Sequence, residues 1–316
     1  MPSKQMKAVL IHSYGDPDVL TYEDTVRPQI QPDDVLIRVH AASVNRIDAV
    51  VRAGYVTGWF KHSLPLILGW DVSGTIEEVG SDVPRFEVGD AVFARTDINR
   101  NGTYAEYVAV RASEVAYKPQ SLQHTHAAAV PHAALTAWQA LFDAAHLAAG
   151  QTVLVHGAAG GVGHFAVQLA KWKGAQVIAT ASGRNIDFLH QLGVHQAIDY
   201  TATKFEEEVR DADVVLDTIG GDTQHRSWAT LKRGSTLVSI VQPPSEDMAK
   251  AHGVQHQMVA SQPNAAELTE IAQLIDAGWV KPMVSTILPL QAAKQAHILI
   301  SSERTRGKIV LQVVDM

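Results

Sequence analysis

The segment VLVHGAAGGVGHFAVQLAK, residues 153–171, narrows the choice of fold more than any other part of the chain. A β-branched apolar run stops at Gly157, apolar residues recur at helical spacing from His164 onward, and glycines stand between at 157, 160, 161 and 163. A strand that passes through glycines directly into a helix is the opening of a βα unit. Gly160 and Gly163 match the last two glycines of G-x-G-x-x-G, while the first is displaced to Gly157 and Ala158 takes its usual place. The physical logic of the motif survives this displacement. Gly160 lets backbone approach a pyrophosphate, Gly163 allows helix and strand to pack closely, and unpaired amides at the helix start meet the anion. The segment therefore predicts a dinucleotide site.

The following chain supports a parallel sheet covered on both faces. Strand-like runs TVLVHG, AQVIATA, QAIDY, ADVVLDT and STLVSIV alternate with helix-like GGVGHFAVQLAKWKG, GRNIDFLHQLG, KFEEEVRD and QHRSWATLKRG, and VQHQMVA reads as a sixth strand. Residues before the glycines read differently. From Met6 to about Val115 short alternating runs such as DDVLIRVHAASVN, where Val35, Ile37 and Val39 face one side, are separated by turn residues, which predicts a β-barrel-like domain. An Ala-rich stretch, HTHAAAVPHAALTAWQALFDAAHL, has helical spacing interrupted at Pro131. The tail carries a helix, NAAELTEIAQLIDAGW, and a final strand, GKIVLQVV. A chain of 316 residues accommodates two such domains, each with its own core.

Composition removes several classes of function. The formal charge of −7, with no Lys/Arg cluster, argues against nucleic acid as a partner. The absence of cysteine excludes disulfides, thiolate zinc sites, iron–sulfur clusters and cysteine nucleophiles. No uncharged stretch approaches membrane-spanning length and the first residues have too short an apolar run for a signal peptide, so no membrane association and a cytoplasmic location are expected.

The end of the second α/β strand bears on which dinucleotide binds. AQVIATA runs into Ser182, Gly183, Arg184 and Asn185, with no carboxylate before Asp187 to accept from a free ribose 2′-hydroxyl. A 2′-phosphate would instead find a hydroxyl and a guanidinium, so NADPH is expected over NADH.

The order of β domain, glycine-loop domain and returning tail, together with GAAGGVG, GWDVSGTIEEVG, FEVGDAVFA, YAEYVAV, SVNRIDAVVRAGY and TRGKIVL, resembles the medium-chain dehydrogenase/reductase superfamily. Within it the chain resembles the zinc-independent quinone oxidoreductase branch, which includes zeta-crystallin-like proteins and enone reductases. The resemblance covers nearly the whole chain. It implies an α/β fold: a GroES-like β-barrel catalytic domain from residues 1–123 and 266–316, and a Rossmann doubly wound parallel sheet binding NADP over 124–265, with the active site in a cleft.

The zinc-dependent relatives hold catalytic metal through two Cys and a His. The matching positions here are Asn45, Trp70 and His132, and one imidazole cannot make a site that needs three protein ligands, so no metal is expected. His252 and His256 are four apart but have an intervening Gly and no neighbouring acid, which does not make a metal pair. Without a Lewis acid, oxidation of plain alcohols is disfavoured, and an acceptor that is already electrophilic, a quinone or an α,β-unsaturated carbonyl, is expected to take hydride.

The resemblance implies three polar residues at the reacting end. Asn45 offers an amide to the nicotinamide ribose or the substrate oxygen, Tyr55 a phenol as donor or proton source, and Thr136 a hydroxyl that anchors the nicotinamide. Cofactor contacts are expected from Ala159, Gly160, Gly161, Val162, Gly163, Ser182, Arg184, Tyr200 and Ile240, with Lys204, despite its Tyr-x-x-x-Lys spacing, on the surface. Two departures stand out: Asp48 is followed by Ala49 and Val50, where enone reductases of this branch often carry a Lys, and the Lys that often follows ATAS is absent. One-electron quinone reduction and two-electron alkene reduction both remain open, as does a cofactor-binding structural or regulatory role with negligible turnover. A homodimer through the sheet edge near VQHQMVA is the expected assembly.

Overall fold

The computed structural model describes residues 4–302 and 305–314, which form two compact units. The first comprises Met1–His132, Gln262–Ala277 and Pro282–Met316, the second Ala133–Ser261 and Gly278–Lys281. The boundaries thus fall at 132/133 and 261/262 rather than at 123/124 and 265/266. The later first boundary has a packing cause: Ala128 and Ala129, just after helix α2 (His124–Ala127), are buried with Ala41 and Val310 in a small apolar cluster of the first unit.

The first unit holds, in chain order, strands β1 (Gln5–Ile11), β2 (Leu20–Val26) and β3 (Asp34–Val44), helix α1 (Arg46–Arg52), and strands β4 (Leu66–Ile67), β5 (Asp71–Val79), β6 (Ala91–Arg95), β7 (Tyr107–Arg111) and β8 (Val115–Tyr117). The boundary at 132/133 lies inside α3 (Pro131–Trp138), and Pro131 occupies the first position of that helix, where a missing N–H costs nothing. The second unit contributes β9 (Thr152–Val155), α4 (Gly163–Trp172), β10 (Gln176–Ala181), α5 (Ile186–Leu192), β11 (Gln196–Asp199), α6 (Phe205–Glu208), β12 (Ala212–Asp217), α7 (Gly221–Ser227), β13 (Leu231–Ser239), α8 (Glu246–His252) and β14 (Gln255–Met258). The chain returns to the first unit with α9 (Ala265–Asp276), β15 (Val284–Pro289), α10 (Ala293–Ser301) and β16 (Lys308–Gln312).

The second unit is a six-stranded sheet in the order β11-β10-β9-β12-β13-β14, and every recorded pairing is parallel. Counted from its own first strand this is the order 3-2-1-4-5-6 of a doubly wound dinucleotide fold. Leu154, Val215 and Leu237, from neighbouring strands, join Phe205, Trp228 and Val254 in one buried cluster. One expected helix is shorter than its sequence suggested: in QHRSWATLKRG the α7 helix stops at Ser227, and Leu231–Arg233 belong to β13. The first residues of β13 are largely exposed and only Leu231 pairs there, so no hydrophobic period announces the strand.

The first unit contains a seven-stranded sheet, β15-β16-β3-β5-β6-β8 with β7 also on β3, and a three-stranded sheet, β2-β1-β4. Val35, Ile37 and Val39 do share one cluster, with Val72, Ile76, Val92, Val108 and Val110. The alternation does not persist along β3, because register shifts after Leu36 and after Val39 turn the strand, and Ala42 and Val44 enter a second core with Val9, Leu68, Trp70 and Leu311. Strand β16 pairs antiparallel with the same end of β3, Ile309 opposite Val44, so the tail completes the sheet that the early chain begins.

Candidate active site

In the α/β unit, parallel strands deliver their C-terminal ends to one edge of the sheet, which gathers residues distant in sequence. Strand β9 ends at the glycine loop. Gly157 has φ +60°, and a side chain there would meet Thr218 Oγ1 at 2.6 Å. At Gly163, the first residue of α4, a Cβ would fall 2.4 Å from Gly157 O and 2.6 Å from the Ala158 Cα, so the helix start lies directly on the loop. Gly160 N closes a turn onto Gly157 O at 2.9 Å. The α4 amides of His164 and Ala166 are already paired, with Gly160 O at 3.2 Å and Val162 O at 3.0 Å, so the donors available to an anion are loop amides such as those of Gly161 and Val162.

Strand β10 leads to Ser182 and a single turn of 3₁₀ helix over Gly183–Asn185, on which Arg184 is exposed. Asn185 Nδ2 donates to Ser182 Oγ at 3.2 Å. Tyr200, just past β11, donates its N–H to Ala181 O at 3.2 Å and leaves its side chain exposed. Ile240, just past β13, donates to Asp217 O at 3.1 Å. The fold thus brings Ala159, Gly160, Gly161, Val162, Gly163, Ser182, Arg184, Tyr200 and Ile240 to strand ends of one sheet, while Lys204 pairs with exposed Glu207 at 3.1 Å. One neighbour escaped the sequence reading. Asp199 ends β11 opposite Ala181, its Oδ2 lies 2.6 Å from where a Gly183 side chain would begin, and hydrogen bonds from Thr201 N and Oγ1 to Oδ1, 2.9 and 2.7 Å, hold its pKa down. A carboxylate does reach the end of β10, but from the adjacent strand. Thr136 lies on α3 in this unit and is buried.

In the β-rich unit the functional candidates surround one buried carboxylate. Asp71, at the start of β5, accepts from Ser43 Oγ (2.6 Å) and Asn45 Nδ2 (2.9 Å) at Oδ2 and from His132 N (2.7 Å) at Oδ1. Lys308, the first residue of β16, stands 3.5 Å from Asp71 Oδ2 and donates to Asn45 Oδ1. Both charges are buried, and desolvation pulls the Lys308 pKa down against the pull of Asp71 and Asp48. Asn45 is therefore held at both ends of its amide, with one Nδ2 proton left over.

Asp48, on the first turn of α1, accepts from Asn45 N (2.8 Å) and Tyr104 Oη (2.7 Å) at Oδ2, while its Oδ1 is sealed without a partner. Burial lifts the Asp48 pKa to about 7 and, with Asp48 beside it, raises that of Tyr104 well above 10. Tyr55 follows α1 and is 80% exposed. Trp70 fills the core and donates its indole N–H to Arg100 O at 3.2 Å, whereas Trp59 is exposed. Asp71, Ser43 and Lys308 were missed in the sequence; a lone charge inside GWDVSG and another opening GKIVLQ were the available signals.

This donor set does not fit a catalytic zinc. At the three matched positions an indole offers only a donor, the Asn45 amide is already engaged on both sides, and His132 alone brings an imidazole, its pKa lowered by burial to about 3. Among the described residues no group of three His, Cys, Asp or Glu is arranged to hold a metal ion, His252 and His256 included. Nor is any described helix long and apolar enough to cross a membrane.

Two family models match the chain: the alcohol dehydrogenase GroES-like domain over residues 31–120 and a zinc-binding dehydrogenase domain over 192–311. The mouse NAD(P)H oxidoreductase RTN4IP1, mitochondrial, is 34% identical across 99% of this chain and 90% of its own length. The quinone oxidoreductase from Coxiella burnetii superposes with a TM-score of 0.93 at 37% identity, covering 98% of this chain and 100% of that one. The Escherichia coli quinone oxidoreductase complexed with NADPH superposes with a TM-score of 0.88 at 27% identity, covering 97% and 100%. With the 3-2-1-4-5-6 sheet, the glycine loop and the two-part β-rich unit already in view, these likenesses establish that the chain is an oxidoreductase belonging to the quinone oxidoreductase branch of the medium-chain dehydrogenase/reductase superfamily.

Proposed function

We propose that this chain is an NADPH-dependent, zinc-independent reductase whose acceptor is a quinone or an α,β-unsaturated carbonyl compound. The observation that carries the reading is the close seat of α4 on the glycine loop, where the positions of Gly157 and Gly163 have no room for a side chain and a pyrophosphate could approach the loop backbone, whose Gly161 and Val162 amides are spent on no backbone carbonyl. Ala159 to Gly163 would hold the pyrophosphate, Ser182 and Arg184 the 2′-phosphate, Tyr200 the adenosine side, and Ile240 and Thr136 the nicotinamide half. Asp199 does not compete strongly for this role, since one of its oxygens is spent on Thr201. The E. coli relative bound to NADPH supports the same cofactor choice.

Bound there, reduced nicotinamide supplies a hydride. The remaining work belongs to the chain. Asn45, fixed by Asp71 and Lys308, presents its free N–H to an oxygen of the acceptor or of the ribose, and the exposed Tyr55 phenol serves as proton source. The indole, amide and single imidazole at the family's metal positions support the zinc-independent reading. Strand β14, an exposed edge of the six-stranded sheet, supports a homodimer joined there, and a cytoplasmic location completes the proposal.

The test is steady-state kinetics with both nicotinamide cofactors against a quinone and short enones, with product identification. The expected result is a KM for NADPH at least about tenfold below that for NADH, the ratio that one charge-assisted contact to a phosphate supplies. Preference for NADH, or activity lost on chelation together with stoichiometric zinc, refutes the reading. Light scattering of the same preparation checks the dimer.

A further inference from the structure

The residue that leads into the glycine loop is a histidine whose ring is spent at both ends. His156 is completely buried. Its Nδ1 lies 3.0 Å from Oγ1 of Thr180, in β10, and its Nε2 lies 2.9 Å from Oγ of Ser227, the last residue of α7. Ser227 gives its one hydroxyl proton to Thr223 O at 2.6 Å, so at the ring it can only accept. Nε2 therefore carries the proton and Nδ1 accepts from Thr180. Burial favours this uncharged form, pulling the His156 pKa down to about 4. The Phe205 ring packs against the imidazole at 4.5 Å, a contact that a phenyl group would make equally well. What the imidazole adds is two polar ends, which in a buried place fix the groups that satisfy them.

The backbone around His156 is tied to both neighbouring strands. His156 N donates to Leu216 O at 3.0 Å, in β12, and His156 O accepts from Thr218 Oγ1 at 2.8 Å. On the other side Ala158 N donates to Thr180 O at 3.0 Å, so Thr180 holds the turn by its carbonyl as well as by its hydroxyl. Between these anchors stands Gly157, with φ +60° and no room for a side chain beside Thr218. Strands β10 and β12 flank β9, and in a doubly wound sheet the crevice where the winding reverses is where a ligand enters. The His156 ring joins β10 to α7 across that point.

We propose that His156 is a positioning residue of the dinucleotide site: strung between Thr180 and Ser227, its ring holds the turn at Gly157 so that the loop amides face the pyrophosphate. The inference rests on the cofactor reading above. Fully buried, the ring acts through Gly157 rather than on the cofactor itself.

The experiment measures binding of NADPH, NADH, 2′-phospho-ADP-ribose and 2′-AMP by calorimetry to full-length wild type, His156→Phe, His156→Gln, Thr180→Val and Ser227→Ala, with steady-state kinetics at varied NADPH. His156→Phe keeps the packing on Phe205 and removes both hydrogen bonds. It should weaken NADPH and 2′-phospho-ADP-ribose, which carry the pyrophosphate, at least about tenfold, the scale on which loss of preorganisation shows in affinity. Binding of 2′-AMP, which lacks the pyrophosphate, should be unchanged. KM for NADPH should rise by the same factor while kcat at saturation stays within about threefold of wild type, the pattern of lost uniform binding. His156→Gln, which retains a donor for Ser227, should restore part of the affinity. Wild-type affinity in His156→Phe overturns the proposal. So does an equal weakening of 2′-AMP, as a general loosening of the fold would give, or a fall in kcat with KM unchanged. Should His156→Phe fail to fold, Thr180→Val and Ser227→Ala decide: each should show the same selective loss in smaller degree, and wild-type binding in both overturns the proposal. Wild type that prefers NADH leaves His156 in its role and removes the NADPH reading; wild type that binds neither dinucleotide removes both.

Discussion

Lys308 sits 263 residues from Asn45 in sequence and donates to its side chain, and both meet at Asp71. Replacing one member of a buried pair strands the other charge. Lys308→Met is therefore expected to cost about 3–5 kcal/mol of stability, read as a lower midpoint in urea at unchanged slope, while Asp71→Asn combined with Lys308→Met should recover part of the loss. Asn45→Ala removes the presented N–H and leaves Lys308 one acceptor short. Its kcat/KM is expected to fall by about tenfold, roughly 1.4 kcal/mol of lost transition-state binding, and wild-type kinetics in that variant would remove Asn45 from the mechanism. Asn45 was legible because it stands in SVNRID, a motif. Its two restraints were not, because nothing local in GWDVSG or GKIVLQ says that a strand end will face another strand end.

At the level of elements, the strand β9, glycine loop and helix α4 form the most legible part of the molecule, since the change of hydrophobic period and the glycines coincide. Gly163→Ala places a methyl within 2.4 Å of the Gly157 carbonyl, so the helix start must move. We expect about 1–3 kcal/mol of destabilisation from this overpacking and a larger proportional loss of cofactor affinity, measured by thermal melts with and without NADPH. Gly160→Ala meets only one contact, at 3.1 Å, and should leave the fold nearly intact. Less legible were the start of β13, which is exposed and paired at a single residue, and the arrival of Asp199 at the end of β10, which depends on which strand lies next to which. Strand adjacency is a property of the sheet and leaves no mark on either strand's own sequence.

For the whole molecule, acid stability follows from where imidazoles are shielded. Burial lowers the pKa of His124 and His156 to about 4 and of His132 and His297 to about 3. Below pH 6.5 the unfolded chain takes up protons at these four sites that the folded chain does not, so stability is present above that pH and declines as pH falls. Asp48 acts oppositely, keeping its proton in the folded state up to about pH 7. The difference of about three protons predicts a loss of roughly 4 kcal/mol per pH unit near pH 5, checked by urea titrations between pH 7 and 4.5; flat stability across that range would contradict it. Local patterning was enough to specify that one part of the chain is a glycine-looped α/β sheet and another an assembly of short strands, because hydrophobic period and turn residues act over a few positions. Packing alone assigned the tail to the early strands at β3 and β16 and built the Asp71 cluster from four distant segments, since burial and charge pairing exist only once the strands are side by side.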